Sequence, residues 1–114
     1  MQIKMKNSFM KSSAQQIKNN IHNTQIEVPG PVYATTGTLP GEVFLQWDSI
    51  NRALKYVIER SAKNSEKWHR VDIIKDPVYC ISGLKPATNY SFRVAAIFPE
   101  GIGPWSETVS KRTK

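Results

Sequence analysis

From Tyr90 onward, apolar side chains recur at every second position, with Tyr90, Phe92, Val94 and Ala96 on one side of the chain and Ser91 and Arg93 on the other. A period of two puts alternate residues on opposite faces of a pleated strand, so this run predicts a half-buried β-strand. Just before it, Pro86 has no amide hydrogen to give a ladder and Gly83 frees the backbone, which predicts a corner around Leu84. The same alternation recurs upstream. Val43, Leu45 and Trp47 are predicted inward on a strand over 43–47, with Phe44 and Gln46 outward. Tyr56 and Ile58 form the inward pair of a strand over 54–60, whose Lys55, Val57 and Glu59 face out. Shorter runs at 32–36, 68–73, 78–81 and 106–111 bring the set to seven strands. Turn residues separate them, and Leu39-Pro40-Gly41-Glu42 has the proline and glycine of a type II turn. Seven short strands with turn signals between them predict an all-β Greek-key sandwich of two sheets.

The run Gly83-Leu84-Lys85-Pro86-Ala87-Thr88-Asn89-Tyr90-Ser91-Phe92-Arg93-Val94-Ala95-Ala96 resembles the E-F corner and F strand of a fibronectin type III domain. Further matches follow in the family's order, with Trp47 on strand B, Tyr56 and Ile58 on C, Trp68 and Val71 on C′, Tyr79 and Ile81 on E, and Gly103-Pro104-Trp105-Ser106 where G begins. The resemblance implies a seven-stranded immunoglobulin-like sandwich over residues 29–114, in which Trp47, Tyr56, Trp68, Leu84 and Tyr90 are structural. It also implies that the Tyr90 hydroxyl bonds to backbone a few residues upstream. Arg93 and Trp105 are expected on the outer face of neighbouring strands F and G, where a guanidinium can lie over an indole for about 0.5 to 2 kcal/mol. Trp105-Ser106 is similar to half of the Trp-Ser-x-Trp-Ser motif of cytokine-receptor modules, but Glu107-Thr108-Val109 follows where the second half would stand. The Gly-x-Gly-Pro-Trp-Ser ending resembles that of bacterial single modules.

Residues 1–28 are rich in Asn, Gln, Ser and Lys, a composition expected of a flexible tail. Met10, Ala14, Ile17 and Ile21 nonetheless lie at helical spacing, so a short amphipathic docking helix is the alternative for this segment. Val28-Pro29-Gly30-Pro31 marks the boundary. The net charge of +7 divides into +3 on the first 28 residues and +4 on the rest, without the dense basic stripe that nucleic-acid binding calls for, so nucleic acid is not expected as a partner. No stretch reaches the roughly 18 apolar residues of a membrane span, and no secretory signal is visible. Location is left open: cytoplasmic if the chain is complete, extracellular or particle-associated if it is exported by another route.

Candidate chemistry is sparse. Cys80 has no second cysteine to pair with and no basic neighbour in sequence to lower its pKa, while His69 stands on a predicted strand and His22 in the tail. No catalytic, cofactor or metal residue is expected, and Asn89-Tyr90-Ser91 is read as a chance sequon. The expected function is a non-catalytic protein-interaction or spacer module. Its contact surface would be the loops at 48–52 and 99–102, with Ile50 and Ile102 as apolar anchors and Arg52 and Glu100 as polar rim. Phe44, outward and expected near Cys80, adds an exposed apolar position. The alternative is an accessory subunit of a bacterial surface or phage assembly docking through its N-terminal arm, with self-association through the tail or edge strands.

Overall fold

The computed structural model describes residues 28–114, so the tail and its candidate helix at Met10–Ile21 lie outside the described residues. Eight strands follow in order: β1 (Tyr33–Thr36), β2 (Val43–Gln46), β3 (Lys55–Ala62), β4 (His69–Ile74), β5 (Val78–Ile81), β6 (Asn89–Phe98), β7 (Gly101–Trp105) and β8 (Val109–Arg112). One sheet has the order β1-β2-β5; the larger one runs β4-β3-β6, with β7 and β8 both paired to the far side of β6. Every pairing is antiparallel. The inner faces meet as the alternation requires: Val43, Leu45 and Trp47 from one layer, and Tyr56, Ile58, Tyr90, Phe92, Val94, Ala96 and Phe98 from the other, are all buried.

Turn chemistry fixes the register. Gly41 has φ +78°, and the Glu42 amide donates to the Leu39 carbonyl at 3.3 Å, giving the type II turn its glycine. A Cβ at Gly41 would collide with the Leu84 carbonyl, so the turn also depends on close backbone approach to the E-F corner. At that corner the Lys85 amide donates to the Tyr90 hydroxyl at 3.0 Å. The chain's end closes over it, with Thr113 Oγ1 donating to the Lys85 carbonyl at 2.6 Å and accepting from the Thr88 amide at 2.9 Å.

Two expectations are corrected, and a third is met with a burial the alternation did not foretell. The last strand does not begin at Ser106: the chain pairs with β6 from Gly101, breaks at Ser106–Thr108, and pairs again from Val109. At the break the Ser106 side-chain oxygen accepts the Val94 amide at 3.0 Å in place of a ladder carbonyl, while its own amide donates to the Val94 carbonyl at 2.7 Å. Val57 faces outward as expected yet is only 1% exposed, and its outward neighbour Ala95 is fully buried. Ile50 is not an exposed loop tip: it is partly buried against the core, and its amide donates to the Tyr56 hydroxyl at 2.8 Å.

Candidate functional site

The β2–β3 and β6–β7 connections come together at one end of the sandwich. Ile50–Ala53 is a tight turn closed by the Ala53 amide on the Ile50 carbonyl at 3.1 Å, and Arg52 occupies it at φ 73°. Left-handed backbone at a residue other than glycine costs about 1 kcal/mol or more, so it persists where the side chain is held. Arg52 is held from across the chain: its guanidinium donates to Glu100 Oε2 at 2.7 Å and lies 5.8 Å from the Phe98 ring centroid. Both side chains remain more than half exposed, so the pair orders the two loops more than it stabilises the fold. Ile102 projects beside them, 56% exposed, on the rim of a shallow cavity of about 360 Å³ lined by Arg52, Phe98, Glu100 and Ile102. Of the four residues expected there, the structure unites Arg52, Glu100 and Ile102 on one surface and withdraws Ile50 into the packing.

Phe44 belongs to a separate surface, the outer face of the three-stranded sheet. In register it stands between Thr35 of β1 and Cys80 of β5, and the next rung is Tyr33, Gln46 and Val78. Tyr33 is 63%, Phe44 43% and Val78 54% exposed, a cluster of apolar positions that the sequence reading reduced to Phe44. The signal was present, because Tyr33 and Val78 share the outward phase of their short strands. The Cys80 thiol is pushed above its ordinary pKa, first by desolvation and then by the carboxylate of Glu42. At the sheet's edge the Tyr79 hydroxyl donates to Asp72 Oδ2 at 2.8 Å, and that bond, more than burial, pushes the Tyr79 pKa up.

The outer face of the larger sheet carries a third arrangement. Arg93 is stacked between two indoles, its guanidinium carbon 4.2 Å from the Trp68 ring centroid and 4.2 Å from that of Trp105. Its Nε and Nη2 both donate to Glu59 Oε1, at 3.0 and 2.7 Å. Sequence reasoning found Trp105 but missed Trp68 and Glu59 as partners. Glu59 was findable, since it was predicted outward on the strand next to Arg93 and stands directly opposite it.

Among the described residues no three His, Cys, Asp or Glu side chains cluster as a metal site would require, and no helix is long and apolar enough to cross a membrane. Two antiparallel sheets, a tyrosine clamp at the corner before β6 and loops gathered at the ends define an immunoglobulin-like sandwich. The fibronectin type III domain profile matches residues 27–112, and the chain belongs to that family. It is 39% identical over 88 residues to receptor-type tyrosine-protein phosphatase F of Danio rerio, a match covering 75% of this chain and 5% of that protein. Among solved structures it resembles domains A168-A170 from titin, with TM-score 0.70 and 26% identity over 77% of this chain and 32% of that one. An Fn3-like protein from Clostridium thermocellum matches with TM-score 0.66 over 72% of this chain and 86% of that one, but its 20% identity shows the fold alone. The curated relatives named in these matches are animal proteins, so the bacterial attribution suggested by the Gly-x-Gly-Pro-Trp-Ser ending finds no support. The chain spans a twentieth or less of the receptor phosphatases' length, and their catalytic activity is not carried by this match. Fibronectin type III domains are in general non-catalytic modules that mediate protein interactions.

Proposed function

We propose that this domain is a non-catalytic protein-interaction module that meets its partner with the loop surface of Arg52, Glu100 and Ile102, and also serves as a spacer. The observation that carries the reading is the ion pair between Arg52 and Glu100 at 2.7 Å. It joins two loops 48 residues apart into a single surface beside an exposed isoleucine, so little ordering remains to be done on binding. An apolar anchor inside a polar rim is the usual make-up of a small protein contact. Phe44, with Tyr33 and Val78, offers a second and broader face. Pairing through the edge strand β4 is disfavoured, because a register shift at Ile58/Glu59 and the charged Arg70 and Asp72 disrupt the flat edge that strand addition needs. The curated relatives are animal proteins, so the bacterial part of the accessory-subunit alternative has no support, and its N-terminal arm lies outside the described residues.

The test uses the full chain as bait in affinity capture, beside Ile102→Asp, Arg52→Glu and Phe44→Asp variants. A partner retained by the parent and by Phe44→Asp, but lost with Ile102→Asp and Arg52→Glu, supports the loop surface. Loss only with Phe44→Asp moves the contact to the three-stranded sheet, and equal retention by all three variants refutes both surfaces.

A further inference from the structure

The outer face of the three-stranded sheet carries no charge. In register it presents two rungs of three side chains, Tyr33-Gln46-Val78 and Thr35-Phe44-Cys80, and all six are uncharged. The larger sheet, by contrast, turns Glu59, Arg93 and Arg112 to its own outer face. A solvated face of an antiparallel sheet normally alternates into polar side chains, so one that exposes Tyr33, Phe44 and Val78 together calls for a cover. Over it lies a shallow depression of about 550 Å³, bordered by Phe44, Gln46, Val78 and Cys80.

The size of the face decides what the cover can be. Three strands about 4.8 Å apart, each of four residues at about 3.4 Å per residue, present a patch of about 14 by 14 Å, or about 200 Å². A second copy held stably in solution needs about 800 Å² on each partner. A single short helix fits instead, since twelve residues rise about 18 Å and are about 10 Å wide. The sequence holds such a segment outside the described residues. At about 100° per residue, Met10, Ala14, Ile17 and Ile21 fall within about 60° of one another, and Ser12, Gln15, Gln16 and Asn19 occupy the opposite half. A helix of that length is marginal alone in water, so it needs a surface that covers its apolar seam.

The point where the described chain begins puts that segment in reach. It starts at Val28, β1 opens at Tyr33, and β1 is an edge strand of this same sheet. Residues 22–27 can span up to about 20 Å, more than the width of three strands. Val28 also borders Glu107 at the break between β7 and β8, so the larger sheet is near too, but the +3 charge of residues 1–28 disfavours the side where Lys63 and Arg112 are exposed. We propose that residues 10–21 fold back as an amphipathic helix onto the outer face of β1, β2 and β5, with Met10, Ile17 and Ile21 against Tyr33, Phe44 and Val78. The link makes the contact intramolecular, at an effective concentration on the order of millimolar, so a patch too small for a dimer suffices. A partner for the Phe44 face would have to displace the helix. The contact is separate from the loop surface of Arg52, Glu100 and Ile102, so either reading can fail without the other.

The test is paramagnetic NMR on the isotope-labelled full chain, with Cys80→Ser removing the single exposed thiol and a nitroxide attached through Asn19→Cys on the polar half of the segment. The expected result is loss of most of the intensity of the Thr35, Phe44 and Gln46 amide signals, with those of Ser91 and Ser110 on the larger sheet unaffected. Ile17→Asp combined with Ile21→Asp, both outside the sandwich, should restore the lost signals, and Phe44→Asp should restore those of Thr35 and Gln46 from the other side of the contact. The inference is overturned if no signal is lost, if both sheets lose intensity alike, or if the charged variants leave the loss in place. A mixture of isotope-labelled chain without nitroxide and spin-labelled chain without isotope identifies the source of the cover. Loss of the same signals in that mixture gives the face to a second copy and also overturns the inference.

Discussion

Arg93→Ala removes the centre of the outer-face stack, and the geometry sets the size of the loss. The guanidinium touches two indoles at 4.2 Å each, and a cation over an aromatic face is worth about 0.5 to 1 kcal/mol when exposed and up to about 2 when desolvated. The side chains of Arg93 and Glu59 are only 25% and 18% exposed, which places their ion pair between the surface limit of at most about 1 kcal/mol and the buried limit of about 3 to 5. Taking about 1 for each ring and 1 to 2 for the carboxylate, Arg93→Ala should destabilise the domain by about 3 to 4 kcal/mol. In a domain of this size each kcal/mol moves the melting temperature by roughly 4 to 8 °C, so the drop should be on the order of 12 to 30 °C.

Two companions separate the causes, read by thermal melting and urea denaturation. Arg93→Met keeps the aliphatic stem between the indoles and loses the charge, so it should recover a minor part of the loss. A cycle of Arg93→Ala, Glu59→Ala and the double variant should show a coupling of about 1 kcal/mol or more, because the residues share hydrogen bonds. Trp105→Ala should also lower the melting temperature clearly, since Trp105 stands opposite the fully buried Ala95. If Arg93→Ala melts within about 4 °C of the parent, less than 1 kcal/mol is held there and the stack is incidental.

Ser106→Ala should cost about 1 to 3 kcal/mol, because it leaves the buried Val94 amide without its acceptor; a urea midpoint equal to the parent's would show that the split strand does not depend on that oxygen. Ile102→Asp should leave the melting temperature within a few degrees of the parent, while Ile50→Asp lowers it sharply by placing a charge against the core; equal melts would contradict the different burial assigned to them. Cys80 is the chain's single thiol, and with its pKa raised the thiolate fraction at a given pH is smaller than in an unfolded chain. Its alkylation by iodoacetamide should therefore be slower around pH 8, with the midpoint of the pH-rate profile displaced upward in the folded state and restored in denaturant. A profile identical in both states would remove the shift.

Much of the fold was legible because its strands bury one face. The alternation in β2 and β6 placed Val43, Leu45, Phe92 and Val94 correctly, and the outward phase of Phe44 and Cys80 was enough to anticipate their pairing across β2 and β5. Val57 shows where the pattern stops being informative. Period two says which face a side chain joins, but burial on that face depends on what covers it. Here Val57 and Ala95 stand beside Glu59–Arg93 and Trp105 on a face roofed by long side chains. The loop site was half legible for a similar reason. Composition picks out Arg52 and Glu100 as polar rim, whereas the fate of Ile50 is set by the Tyr56 hydroxyl, a contact between a loop and a strand that no local pattern encodes.

The same face also explains how a small sandwich can combine rigidity with an open site. Along β6 the outward residues run from Asn89 and Ser91 at one end to Arg93 and Ala95 further on, and their partners change with them. Where Arg93 stands, two tryptophans and a carboxylate cover the sheet and desolvate it. One rung away, Ser91 and Ser110 are too short to cover the sheet, while Ser61 beside them is buried against the 62–65 turn, its hydroxyl donating to the Ser65 carbonyl at 3.1 Å. Trp68 borders both regions, stacked on Arg93 and lining a shallow trough of about 400 Å³ beside Ser91 and Ser110. It follows that the stack is the trough's support as well as the domain's clasp. Arg93→Met should therefore loosen Trp68 as well as lower the melting temperature, read as movement of the Trp68 indole N–H signal in the folded protein; an unmoved signal would show that Trp68 is held without the cation.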